Sequence, residues 1–213
     1  MQRVVIFTVL SLTILAVGAL AVCHDGQCAL SEFDRIGLSL ADELRNEPID
    51  RLMLGVTWLG SLMLLLPLTV LGAGFLYWRG RRREARFILL ALLSTSALSH
   101  VVKLWVSRPR PDLFPAWLPM PEDWSYPSAH AMQVMACALA FFLIAGRQRF
   151  VWAVPLVIAV LLVGLSRIYL QVHFPSDVAA GLFAAALWVA GLHALLLRQP
   201  SHSAQIERAR GAA

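Results

Sequence analysis

Residues 166–177 (SRIYLQVHFPSD) set Arg167, His173 and Asp177 at the junction of two long apolar runs. Charge at a membrane edge is costly unless paired or wetted, so ionisable residues there point to function. Two earlier stretches carry matching groups: Lys103 followed by Arg110-Pro111, and Pro127-Ser128-Ala129-His130. This set suits phosphoryl transfer, which needs neutralised phosphate oxygens and a nucleophile in line with the leaving group. Arg110 and Arg167 can each grip two oxygens with a planar, permanently charged fork. Lys103 adds a point charge. Ser128 and the backbone N–H groups that begin the next helix add donors.

Two histidines on different segments suit two roles. His173 is placed to attack phosphorus, with Asp177 holding its other ring nitrogen and fixing the tautomer. His130 is placed to protonate the departing oxygen and later to activate water. The cations take over the part of a metal, so neither metal nor cofactor is expected. Taken singly, each of these residues would more ordinarily be an interfacial anchor. Their coincidence on one face is what favours a single site. His100 precedes Lys103 by one helical turn and either lines that site or packs beside it. His24, His193 and His202 are read as having no part in it.

The elements that must carry these groups are membrane spans. The chain of 213 residues is 59% hydrophobic and 15% charged, well away from the roughly 25% charge of soluble domains. Its apolar residues run in blocks of about twenty, enough to cross a bilayer core. The expected fold is all-α: a polytopic membrane protein with six transmembrane helices in a bundle. The spans fall near residues 4–22, 52–78, 87–106, 128–145, 150–170 and 178–197. The first run also has the charge pattern of a signal peptide, but its length favours an uncleaved helix. Residues 1–200 are read as one domain, with a disordered polar tail over 201–213.

Between the first two spans, Phe33, Ile36, Leu40 and Leu44 recur at helical spacing, with Ser31 as a cap. This predicts an interfacial helix lying on the membrane surface or on the other helices. Cys23 and Cys28 are either a small disulfide loop or two free thiols. Pro67 is a candidate kink in the second span. Ser94, Thr95, Ser96 and Ser99 suit close helix packing in the third. The proline-rich residues 107–127, with Trp117 and Trp124, form either a lipid-facing rim or a plain anchoring loop.

The net charge of +5 does not indicate nucleic acid, because the basic residues cap apolar spans. The densest run, from Arg79 to Arg86, is read as a cytoplasmic topology anchor, with a lipid-headgroup site as the lesser option. With the N-terminus inside, that run, Arg147, Arg149 and Arg198 lie inside and all three motifs fall on the outer face.

Taken together, the motifs resemble the type 2 phosphatidic acid phosphatase family of membrane lipid phosphatases. That family's Lys, six residues, Arg-Pro is matched by Lys103 through Pro111. Its Pro-Ser-Gly-His is matched by Pro127 through His130, and its Ser-Arg, five residues, His, three residues, Asp by Ser166 through Asp177. The resemblance covers about residues 52–197. Ala129 stands where the family usually has glycine, and its small size and retained N–H are compatible with activity.

The resemblance implies metal-independent catalysis at the outer leaflet, with His173 as nucleophile through a phosphohistidine, Asp177 its partner and His130 the acid and base. It implies phosphate binding by Lys103, Arg110, Ser128 and Arg167, with Ala129 among them. The expected partner is a lipid phosphate in the bilayer: a prenyl diphosphate such as undecaprenyl diphosphate, phosphatidic acid or phosphatidylglycerol phosphate. Dephosphorylation of lipid A, or phosphate transfer to it, is an alternative. A non-catalytic lipid-binding protein of the same fold is another. Soluble haloperoxidases hold a similar constellation around vanadate, but the spans argue against that class. A bacterial inner membrane with the site facing the periplasm is expected.

Overall fold

The computed structural model describes residues 2–24, 27–115 and 119–197. The expected tail, Trp117, Arg198 and His202 lie outside them. The described chain is mostly helical. α1 (Gln2–Val22) leads into a short hairpin, β1 (Cys23–His24) and β2 (Gln27–Cys28). α2 (Glu32–Glu43), α3 (Glu47–Thr57), α4 (Leu62–Trp78) and α5 (Arg82–Val106) follow. A long loop precedes α6 (Ala129–Ile144), α7 (Arg149–Tyr169) and α8 (Pro175–Leu196).

Four helices among the described residues are long and apolar enough to cross a bilayer: α1, α5, α7 with the turn before it, and α8. The expected second span is instead a pair, Glu47–Gly60 and Leu62–Trp78, bent by 44°. The break falls at Ser61 rather than at Pro67, which sits inside an unbroken α4. Ser61 is extended and its hydroxyl accepts from the Met63 N–H at 3.2 Å, capping α4. The expected fourth span, α6, has 16 residues. At 1.5 Å per residue it is about 24 Å long, short of a core about 30 Å thick.

α6 is the hub of the bundle and packs against α4, α5, α7 and α8. Its buried residues are mostly small, with Ala131, Ala136, Ala138 and Ala140 letting neighbours approach closely. Thr95 and Ser99 of α5 are buried as their size suggests, while Ser94 and Ser96 accept hydrogen bonds from Trp188 and Gln133. α1 lies along α8, where the Ser11 hydroxyl donates to the Ala184 carbonyl at 2.8 Å.

α2 starts where Ser31 accepts from the Asp34 N–H at 3.1 Å. Its apolar stripe, Phe33, Ile36, Leu40 and Leu44, faces outward, and Asp34, Leu38 and Ala41 face the bundle. An apolar stripe turned away from the protein is what an interfacial helix presents to lipid. Cys23 and Cys28 are joined as a disulfide across the hairpin.

Connectivity gathers the motifs. Lys103 is in the last turn of α5, Ser128 caps α6 and Arg167 is in the last turn of α7. His173 lies between α7 and α8, and Asp177 is in the first turn of α8. Successive antiparallel helices thus bring all three stretches to one end. The Arg79–Arg86 run sits at the other.

Candidate active site

Asp177 is at the third position of α8, where its carboxylate faces back over the helix start. Its Oδ2 accepts from the Phe174 N–H at 3.0 Å and from the Ser125 hydroxyl. The same oxygen lies 3.5 Å from His173 Nδ1. Ser125 Oγ is also 3.4 Å from that nitrogen, so serine and carboxylate share one side of the ring.

The other ring nitrogen, Nε2, lies 3.3 Å from Arg110 Nη1. A guanidinium has only donors, so Nε2 is the acceptor and Nδ1 carries the proton toward Ser125 and Asp177. His173 is 2% exposed. Burial first, then the positive charges of Arg110, Arg167 and Lys103, push its imidazole well below its ordinary value. Burial and these charges favour the neutral ring, with its Nε2 lone pair turned toward Arg110.

Three cations surround it. Arg110 donates to the carbonyls of Val172 at 2.6 Å and Asp123 at 2.9 Å, and pairs with the Asp123 carboxylate. Lys103 donates to the Trp124 carbonyl and pairs with Asp123 Oδ2 at 3.1 Å. One carboxylate from the loop thus bridges both cations of the first motif. Burial alone would raise Asp123, but Lys103 and Arg110 outweigh it and hold the group below its ordinary value.

Arg167 donates to the Thr57 hydroxyl at 2.6 Å, while its buried Nε has no hydrogen-bond partner among the described residues. Its carbonyl accepts from the His173 N–H at 3.2 Å. Thr57 ends α3, so the bent pair supplies the wall behind Arg167.

Ser128 is fully buried, and its backbone N–H donates to the Asp177 carbonyl at 3.2 Å, tying the start of α6 to α8. Its hydroxyl accepts from the Ala131 N–H at 3.5 Å. Ala129 opens α6 in regular helix. Arg167, Arg110 and Lys103 all stand within electrostatic reach of His130. His130 packs on Gly60, where an added Cβ would lie 3.1 Å from the His130 Cβ.

The structure therefore brings Lys103, Arg110, Ser128, Ala129, His130, Arg167, His173 and Asp177 to one end of the bundle. His100 is exposed on the outer face of α5 and takes no part. Sequence reading missed Ser125, Asp123 and Arg108. Each lies in residues 107–127, whose proline-rich composition gave no periodicity to assign a face. Asp34 was missed as well, because α2 was read through its apolar stripe.

Long apolar helices bundled around a short central one, with an ionisable cluster at one end, define an integral membrane protein. The PAP2 superfamily matches residues 84–200, over half of the 213, and the chain belongs to that family. Phosphatidylglycerophosphatase B of Bacillus subtilis (strain 168) is 37% identical over 155 residues, covering 68% of this chain and 74% of the relative. Undecaprenyl-diphosphatase of Sulfolobus acidocaldarius is 31% identical over 137 residues, covering 62% of this chain and 64% of the relative. The crystal structure of a transmembrane PAP2-type phosphatidylglycerolphosphate phosphatase from Bacillus subtilis superposes with a TM-score of 0.79. Its identity is 27%, covering 92% of this chain and 98% of that one. The expectation of a membrane-bound phosphatase, a hydrolase of the PAP2 kind, holds.

Proposed function

We propose that the protein hydrolyses the phosphate group of a membrane lipid through a covalent phosphohistidine at His173. The observation that carries this reading is the two-sided setting of the His173 ring, with Nδ1 toward Asp177 at 3.5 Å and Nε2 toward Arg110 at 3.3 Å. In the first step Nε2 attacks phosphorus and the P–O bond to the departing lipid oxygen breaks, an ester bond in a glycerolipid phosphate and an anhydride bond in a prenyl diphosphate. His130 gives its proton to the departing lipid oxygen. In the second step His130 takes a proton from water, the water oxygen attacks phosphorus, and the P–N bond breaks to release inorganic phosphate. The developing charge is neutralised by Lys103, Arg110 and Arg167, with the Ser128 hydroxyl and the N–H groups of Ala129 and the first turn of α6 as further donors. Those cations supply what a divalent ion supplies elsewhere, so the reaction runs without metal.

The substrate class is a glycerolipid phosphate or a prenyl diphosphate, a reading supported by what the relatives' names say they act on. In this reading the bent pair and α6 each count as a span, giving six with the N-terminus inside. The site then faces outward, toward the periplasm of a bacterial inner membrane. The basic run at the opposite end supports that orientation.

The test is phosphate release by detergent-purified protein in EDTA. The panel holds phosphatidylglycerol phosphate, phosphatidic acid, undecaprenyl diphosphate and lipid A, with His173→Ala as the control. Release that survives EDTA and disappears in His173→Ala is expected, and the ranking assigns the substrate. Release that needs added metal, or that persists in His173→Ala, would overturn the mechanism.

A further inference from the structure

Behind Asp177 lies a charge network that none of the motif residues accounts for. Arg108 is 1% exposed, and the side chains of Asp34 and Asp177 are fully buried. Arg108 Nη1 donates to Asp177 Oδ1 at 2.6 Å, and its Nη2 donates to Asp34 Oδ2 at 2.8 Å. Its guanidinium carbon sits 3.8 Å from the centre of the Phe174 ring, which fixes its plane. Asp34 in turn accepts from the Ser176 N–H at 2.9 Å and from the Ser176 hydroxyl at 2.8 Å. These contacts clamp the first turn of α8, the turn that carries Asp177.

We propose that Arg108 and Asp34 are a positioning pair for Asp177, holding its carboxylate so that His173 keeps its proton on Nδ1 and presents Nε2. This rests on the reading of His173 as nucleophile. With Arg108 in place both oxygens of Asp177 are committed, Oδ1 to the guanidinium and Oδ2 to Phe174 N, Ser125 and the histidine side. The carboxylate has no freedom to rotate. Without Arg108, Oδ1 would be a buried acceptor with no partner, which is strongly unfavourable. Rotation or protonation of the carboxylate would relieve it, and either one releases the Nδ1 proton.

Charge works in the same direction. One guanidinium between two carboxylates leaves a net negative charge on the Nδ1 side of the ring. Phosphorylation of Nε2 makes the imidazole cationic, so that negative charge stabilises the covalent state more than the resting one. Asp34 lies outside the segment that the family matches, residues 84–200. Through Arg108 and Ser176 it links the interfacial helix α2 to Asp177 and His173.

The test compares Arg108→Met, Arg108→Lys and Asp34→Asn in the full-length, detergent-solubilised protein. Two readouts are taken. The first is the ¹⁵N shift pair of the His173 ring, assigned by its disappearance in His173→Gln. The second is kcat and KM on phosphatidic acid in mixed micelles. Wild-type protein should show the Nδ1–H tautomer. Arg108→Met should show a mixed or Nε2–H ring, with kcat down about 10–100-fold, as for other groups that orient a catalytic histidine, and KM within about threefold. Arg108→Lys should restore the tautomer and part of kcat, and Asp34→Asn should fall between. An unchanged tautomer with kcat within threefold of wild type, or a loss confined to KM, overturns the proposal. If Arg108→Met does not fold, the isosteric Asp34→Asn decides by the same criteria. Wild-type protein inactive on phosphatidic acid would bear on the substrate reading, and the tautomer would still decide the positioning pair.

Discussion

Asp177 Oδ2 stands 3.5 Å from Nδ1 of His173, on the ring face opposite Arg110. One histidine thus meets an anion on one side and a cation on the other, and this polarity selects its tautomer. Asp177→Asn keeps the shape and reverses part of the polarity, because an amide can turn an N–H toward Nδ1. The expected outcome is a fall in kcat of about 10²–10⁴-fold, the scale on which positioned acid–base groups contribute, with little change in lipid binding. Steady-state kinetics check this, and near-wild-type kcat would contradict it.

Protonation of His173 should be hard to achieve in the folded protein. Its ordinary value is 6.5, and burial followed by Arg110, Arg167 and Lys103 holds the folded ring well below that. As pH falls through 6.5 the unfolded chain takes the proton first. Stability that is complete above 6.5 is therefore lost as pH drops toward the folded value. Thermal melts should show Tm falling more steeply below pH 6.5 in wild type than in His173→Gln. Parallel profiles would remove His173 as the source.

Asp123 pairs with both Lys103 and Arg110. A phosphate that uses those cations must displace this carboxylate, whose side chain is 45% exposed and sits in the loop before α6. Asp123→Asn should therefore tighten inhibition by inorganic phosphate, by roughly tenfold for a change of about 1.4 kcal/mol. Weaker inhibition would mean that Asp123 organises the cations rather than competing for them.

Gly60 lets the bent pair touch the start of α6. A Cβ there would lie 2.5 Å from Val163 Cγ1 and 3.2 Å from the His130 carbonyl oxygen. Gly60→Ala should cost about 1–3 kcal/mol through overpacking and lower kcat by displacing His130. Gly55→Ala is the control, since nothing lies within 4 Å of its added Cβ. Thermal stability and kcat of the two variants separate the effects. Equal behaviour would deny that Gly60 supports His130.

Why some of this was legible and some was not follows from particular residues. Lys103, His130 and His173 stand out together because, although each alone would pass for an interfacial anchor, all three end apolar runs on the same face. Residue 128 caps a helix in the structure because the same serine that fits the motif also fits an N-cap. The break at Ser61 was hidden, since residues 52–78 form one apolar run and Pro67 was the more visible interruption. Val163 and His130 are brought against Gly60 by the fold, a contact that no local pattern in residues 52–78 reports. Arg108 differs from Arg110 by nothing but interval. Its partners are 74 and 69 residues away in the chain, a separation that no local pattern reports.

The mechanism stands on a covalent bond between phosphorus and His173. Rapid-quench turnover of ³²P-labelled phosphatidylglycerol phosphate or phosphatidic acid, followed by mass spectrometry, tests it directly. An acid-labile, base-stable phosphoryl group on His173, absent in His173→Ala, is expected. Turnover with no phosphoenzyme at any time point, or a label that persists in His173→Ala, would contradict it.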